Sequence, residues 1–203
     1  MISVLTGDII NSRKSTPENW LDSLKSELDK IGKSPEYWEI YGGDTFQLRV
    51  DNPTEALLTA LKIKAVIKKN KLLDVRISIG IGDMDYKSSR VTESNGSAFI
   101  HSGQQFQLMK KEKLKLAVKS NWNEFDEVIN LCLKLGMFAM DKWSEIAAET
   151  ILLAIANPDL SQSALGEMLD IKQNAVSNRL NRANFNSIME IDQLYKKQLN
   201  ELL

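Results

Sequence analysis

The first apolar run, Ile2 to Thr6, is short, rich in β-formers and ends at Gly7-Asp8, so it predicts a strand. Thr16-Pro17 predicts a helix start, because proline is pre-shaped for the first helical position. Trp20, Leu21, Leu24, Leu28 and Ile31 then recur at helical spacing until Gly32. Tyr37 to Tyr41 and Thr45 to Val50 are β-type runs around Gly42-Gly43-Asp44, which predicts a hairpin turned on the glycines. Asn52-Pro53-Thr54-Glu55 opens a second helix, with Ala56, Leu57, Ala60, Leu61, Ala65 and Ile67 as its buried stripe. Val75, Ile77, Ile79 and Ile81 alternate with Arg76, Ser78 and Gly80, the period of a half-buried strand. The order is βαββαβ, and it predicts a ferredoxin-like sheet.

Residues 83 to 97 are polar and turn-rich. Beyond them Ala98 to Lys111 suits a helix, and Leu114, Leu116 and Val118 suggest one more strand. From Asn123 onward every periodic segment is helical, including Phe125 to Met140 and Lys142 to Ala156. The expected architecture is α+β: a ferredoxin-like domain over residues 1–120, then an all-α domain over 121–203, with the boundary near Ser120-Asn121.

In the helical part, QSALGEMLDIKQNAVSNRLN from Gln162 to Asn181 places small Gly166 at the packing point of one helix, beside Leu165 and Leu169. Ile171 falls in the turn, and Val176 and Leu180 form the inner face of the next helix. This pattern predicts a helix-turn-helix at about residues 162–182. Ser161 is its expected cap, and Asp170 stands where glycine is commonest, since aspartate tolerates left-handed geometry. A final amphipathic helix carries Ile188, Ile191, Leu194, Tyr195, Leu199 and Leu202.

Composition narrows the chemistry. With 203 residues and 43% hydrophobic content the chain can fill one large core or two modest ones. MISVLTGDII has no basic leader, and no apolar run is long enough to span a bilayer, so the expectation is a cytoplasmic protein with no membrane partner. One cysteine, Cys132, and one histidine, His101, exclude a disulfide framework and a Cys/His zinc cluster. Any metal must be ligated by oxygen.

The net charge of −1 excludes a broadly basic nucleic-acid glove. The local charge differs: between residues 172 and 182 there are three cations and no acid. The outward positions there are Lys172, Gln173, Asn174, Ser177, Asn178, Asn181 and Arg182, with Arg179 nearby. Asparagine, glutamine and arginine are the side chains that pair with base edges, so these eight residues are the candidate contacts to double-stranded DNA. A three-helix protein-interaction module is the competing reading, given the acidic neighbours Glu167, Asp170, Glu190 and Asp192.

In the expected sheet, strands one and three are antiparallel neighbours, which brings Asp8 and Asp44 to the same edge. An oxygen-rich pair with open positions suits a Mg²⁺ ion carrying nucleotide phosphates; the competing reading is that Asp44 completes a Gly-Gly-Asp hairpin and Asp8 caps a loop. Asn11, Ser12, Arg13 and Gly43 surround the pair in sequence and could offer phosphates hydrogen bonds and one positive charge. Arg76 is a further phosphate candidate or a solvated strand residue. His101, Lys68-Lys69-Asn70-Lys71 and Lys110-Lys111-Glu112-Lys113 read as surface or structural features.

Three segments carry a resemblance: Gly7-Asp8-Ile9-Ile10-Asn11-Ser12-Arg13, Gly43-Asp44-Thr45-Phe46-Gln47 and Arg76-Ile77-Ser78-Ile79-Gly80-Ile81-Gly82. In this order they resemble the signature series of SatD-family proteins, which are similar in turn to the palm-like catalytic domains of class III nucleotide cyclases and GGDEF diguanylate cyclases. The resemblance implies a Mg²⁺ or Mn²⁺ site with Asp8, Asp44 and the Ile9 carbonyl as ligands, formed between two subunits of a homodimer. Thr45 stands where GGDEF proteins have glutamate. The stretch Gly96 to Gln104 lacks the asparagine and arginine that cyclases present to ribose and phosphate. Without that cation, charge developing on phosphate is poorly met, so the expectation is binding without efficient turnover and no catalytic residues.

The resulting expectation is a transcriptional regulator. A degenerate nucleotide-binding domain would govern how a dimer, joined through its first domain, presents two DNA-reading heads. The alternative is an active cyclase-like phosphotransfer enzyme whose C-terminal helices are an interaction module.

Overall fold

Pairing of the apolar runs builds one five-stranded mixed sheet. In the computed structural model, which describes residues 1–203, its strands are β1 (Ile2–Ile10), β2 (Trp38–Tyr41), β3 (Thr45–Val50), β4 (Asp74–Gly82) and β5 (Leu116–Lys119). Their order is β2-β3-β1-β4-β5. The long strand β1 lies at the centre, antiparallel to β3 on one side and to β4 on the other; β5 joins β4 in parallel. A parallel neighbour needs a crossover, and helix α3 (Ser97–Glu112) supplies it.

The helices α1 (Leu21–Leu28) and α2 (Ala56–Lys68) complete the α+β part. Leu24 and Leu28 of α1 and Leu57, Leu61 and Ile67 of α2 are buried in the same cluster as Leu5, Leu48 and Ile79 of the sheet. Helix α3 lies on Gly80: a Cβ there would sit 2.2 Å from the Ala98 carbonyl oxygen, so only glycine permits the approach. Ser78 Oγ donates to the Ser102 carbonyl at 2.8 Å, and Ser102 Oγ to Thr6 Oγ1 at 2.7 Å, so the polar groups under α3 are satisfied.

Five helices follow: α4 (Asn123–Met140), α5 (Glu145–Ala156), α6 (Gln162–Met168), α7 (Gln173–Arg182) and α8 (Phe185–Leu202). The apolar core runs without a break across Ser120-Asn121. Phe125, Ile129, Met140, Trp143, Ile151, Tyr195 and Leu199 belong to the same buried cluster as Ile63, Ile77 and Val118. Tyr195 is fully buried and donates its hydroxyl to the Pro53 carbonyl at 2.8 Å, tying the last helix to the turn before α2.

A buried charge network adds to this junction. Lys64 of α2, only 2% exposed, lies 2.7 Å from Asp74 of β4 and 3.6 Å from Asp141 at the end of α4. Lys115 bridges the same two carboxylates at 3.0 and 2.8 Å.

The first helix differs from expectation. Pro17–Asn19 form a 3-10 turn, and the α-helix begins only at Leu21. Trp20 separates the two with φ −139°, outside the helical range, while its ring is 3% exposed in the core. Burying the indole outweighs the proline's preference for starting the helix. No helix is long and apolar enough to cross a membrane.

Candidate functional site

At one end of the sheet, β1 delivers Asp8 and the β2–β3 turn delivers Asp44. Asp8 is registered against Thr45, and the Ile9 N–H donates to the Asp44 carbonyl at 3.1 Å. Gly42 and Gly43 take φ of +61° and +93° in the turn, which explains why glycines stand there. Asn11, at φ +64°, turns the chain after β1 and donates its amide to the Leu72 carbonyl at 3.2 Å. Ser12 Oγ then donates to Asp44 Oδ2 at 2.5 Å. Asp8, Ile9, Ser12 and Asp44 thus meet at this end; Arg13 is exposed beside them.

Two cations also occupy this end. Arg76 lies directly across the ladder from Asp8 and donates Nη1 to its two carboxylate oxygens at 3.1 and 3.3 Å. Lys110, on the last turn of α3, places Nζ 3.8 Å from Asp8 Oδ2. Lys110 therefore faces the carboxylate rather than serving only as a helix-end surface charge, and Arg76 is ion-paired rather than merely solvated. Burial raises the Asp8 carboxyl above the ordinary carboxylate value; Arg76 and Lys110 oppose that rise, and the Asp44 charge adds to it. His101 brings Nδ1 2.7 Å from the Ile81 carbonyl, to which it donates, so it is a positioned donor within the fold.

The two carboxylates expected to hold a divalent ion, Asp8 and Asp44, are both at this end, and no third carboxylate, cysteine or histidine joins them. Of the two carboxylates, Asp8 is paired with two protein cations, Arg76 at 3.1 Å and Lys110 at 3.8 Å.

The second constellation lies on α6 and α7. Ser161 accepts from the Ala164 N–H at 3.2 Å and caps α6, and Asp170 takes φ +51° in the turn. Gly166 is buried where a Cβ would lie 2.6 Å from the Ile171 carbonyl oxygen, so the turn folds back on this residue only because it is glycine. Leu165, Val176 and Leu180 are buried beneath it. Trp143, at 3% exposure, donates its indole N–H to the Ala183 carbonyl at 3.0 Å and fixes the far end of α7.

With that inner face buried, the outer face of α7 is left to solvent. Lys172, Gln173, Asn174, Asn178, Asn181 and Arg182 are exposed. Ser177 is half-buried and accepts from Asn181 at 3.4 Å. Arg179 turns toward α5, donating to Thr150 Oγ1 at 3.4 Å, and so stands at the flank of this face. From Ile171 to Met189 there is no aspartate or glutamate. Two cations, Lys172 at the N-cap and Arg182 in the last turn of α7, bracket a row of amides.

Compared with models of known protein families and with curated protein sequences, the chain gives no match to either.

The place of Lys110 beside Asp8 is hard to read from the sequence, because nothing in its lysine-rich run says that α3 will end there. Arg76 was easier. Once β1 and β4 are taken as antiparallel neighbours, an arginine near the start of one and an aspartate near the end of the other are cross-strand partners.

Proposed function

We propose that the chain is a DNA-binding regulator: α6 and α7 form a helix-turn-helix, with α7 entering the major groove, and the ferredoxin-like part senses an anionic ligand. The observation that carries the reading is the exposed, carboxylate-free face of α7, set on a buried Leu165, Val176 and Leu180 base. Asparagine and glutamine pair with adenine edges and arginine with guanine. Lys172 and the N–H groups of the first turn of α7 suit backbone phosphate. With so few cations the affinity of one copy is modest, so two heads acting together are part of the reading.

The sensing half rests on the end of β1. A phosphate group competes with Asp8 for Arg76 and Lys110, with Ser12 and Arg13 beside it; a nucleotide is the ligand class the SatD-like series suggests. No step in this reading uses a metal.

Titrating a fluorescent duplex with the full chain tests the DNA half. Binding should weaken steeply with salt and fall by roughly tenfold or more in Lys172→Ala/Asn178→Ala, since each lost base or phosphate contact is worth about 1–3 kcal/mol. Equal binding by that variant would remove α7 from the account. The sensing half is tested separately by thermal shift with nucleotides, which Arg76→Met should abolish.

A further inference from the structure

Helix α4 covers β5 with one side and leaves an apolar stripe on the other. Val128, Leu131, Leu135 and Phe138 are 41, 59, 60 and 71% exposed. Their spacing of three, four and three residues is that of a helix-pairing seam. Four large side chains aligned on one exposed face are not the scattered apolar residues of an ordinary surface. Charges flank the stripe asymmetrically: Glu124 and Glu127 toward the start of α4, Lys134 past its middle.

We infer that this face binds a second copy of the chain, with the two α4 helices antiparallel about a two-fold axis beside Leu131. Charge decides the orientation. A parallel symmetric pair sets Glu127 level with Glu127 and Lys134 level with Lys134. An antiparallel pair centred near Leu131 sets Glu127 of each copy beside Lys134 of the other, twice per dimer.

Shape supports the same register. The alignment that matches residue 127 with 134 also matches 138 with 123, so Phe138 of one copy reaches the start of α4 in the other. A hollow of about 490 Å³ lies there, bounded by Trp122, Phe125, Val128 and Leu202. The most exposed ring of the stripe thus meets a recess half lined by these apolar side chains, with Glu124 and Glu201 among its polar lining, and by symmetry does so at both ends. Such a patch is isologous: each surface supplies both knob and hole.

The interface differs from one through the sheet domain, and it stands whether or not α7 reads DNA. A groove between α4 and α8, bounded in part by Leu135, Phe138 and Ile191, also includes Arg182 of α7. Joining copies through α4 therefore couples the placement of the two α7 helices to the dimer axis.

Sedimentation equilibrium of the full chain tests the inference. The wild type should be dimeric, and Phe138→Asp should be monomeric with unchanged circular dichroism. Glu127→Lys and Lys134→Glu should each raise the dimer dissociation constant by roughly tenfold, because each converts two attractive pairs into two repulsive ones. The double variant Glu127→Lys/Lys134→Glu should return close to wild type. A wild type that stays monomeric at high micromolar concentration overturns the proposal. So does a dimer indifferent to Phe138→Asp, or a double variant as weak as the singles. All three substituted positions are exposed, so the variants keep the fold.

Discussion

Substituting Asp74 by asparagine keeps the shape of the side chain and removes its charge, which isolates what the buried network contributes. In the native chain Lys64 Nζ is 2.7 Å from Asp74 and 3.6 Å from Asp141, with the side chain 3% exposed. Asp74→Asn leaves that ammonium buried with only the more distant carboxylate. Removing one partner of a buried pair costs about 3–5 kcal/mol; the remaining Asp141 places the expectation near the lower end, at about 3 kcal/mol. For a chain of this size that lowers Tm by roughly 6–12 °C. Lys64→Met should cost less, because no ammonium is left buried and Asp74 keeps Lys115 at 3.0 Å and Lys68 at 4.0 Å. The double variant should resemble Lys64→Met. Urea unfolding of the four proteins gives the cycle directly.

Acid titration of the same variant has a definite sign. Burial would raise the Asp74 carboxyl, but Lys64 and Lys115 outweigh it and hold it below the ordinary carboxylate value. A depressed acid contributes stability above its unfolded pKa of about 4 and loses it as pH falls through the folded value. The penalty of Asp74→Asn should therefore be full at neutral pH and shrink in strong acid. A cost under about 1 kcal/mol at pH 7, or equal costs for Asp74→Asn and Lys64→Met, would refute the reasoning.

Carboxyl NMR should place Asp8 above the ordinary aspartate range and Asp74 below it; the reverse order would contradict the geometry of both sites. Gly166→Val pushes side-chain carbon toward the Ile171 carbonyl, so it should cost roughly 1–3 kcal/mol and abolish duplex binding, read by denaturation and fluorescence anisotropy. Tyr195→Phe leaves the Pro53 carbonyl without its donor and should cost about 1–2 kcal/mol in urea unfolding; no loss would mean that water reaches this carbonyl.

Legibility in the sequence followed the range of the determining forces. The alternation of Val75 to Ile81 and the glycines at 42 and 43 are local signals, and β4 and the β2–β3 turn formed where they pointed, although α2 and α3 bury β4 on both faces rather than the one face that alternation implies. Asp8 and Asp44 met because the order of strands already placed them at one edge. The pattern Ser161, Gly166, Asp170, Val176 and Leu180 was likewise readable, since each residue answers a local requirement of capping, close approach or inner-face packing.

Tertiary reach was not readable in this way. That Lys110 would face Asp8 depends on the length and tilt of α3. That Lys64 would be buried against Asp74 depends on α4 and α5 covering α2 and β5, which the expected boundary at Ser120-Asn121 gave no reason to anticipate. The stripe on α4 shows why periodicity alone underdetermines function. Leu131, Leu135 and Phe138 have helical spacing, yet only the fold shows that they face outward while Ile129 and Leu133 face the core.

Selection of duplexes from a random pool by the full-length chain tests the central claim most directly. The account predicts enrichment of a common sequence by the wild type and none by Lys172→Ala/Asn178→Ala. No enrichment at any salt concentration, or the same enrichment by both proteins, would contradict it.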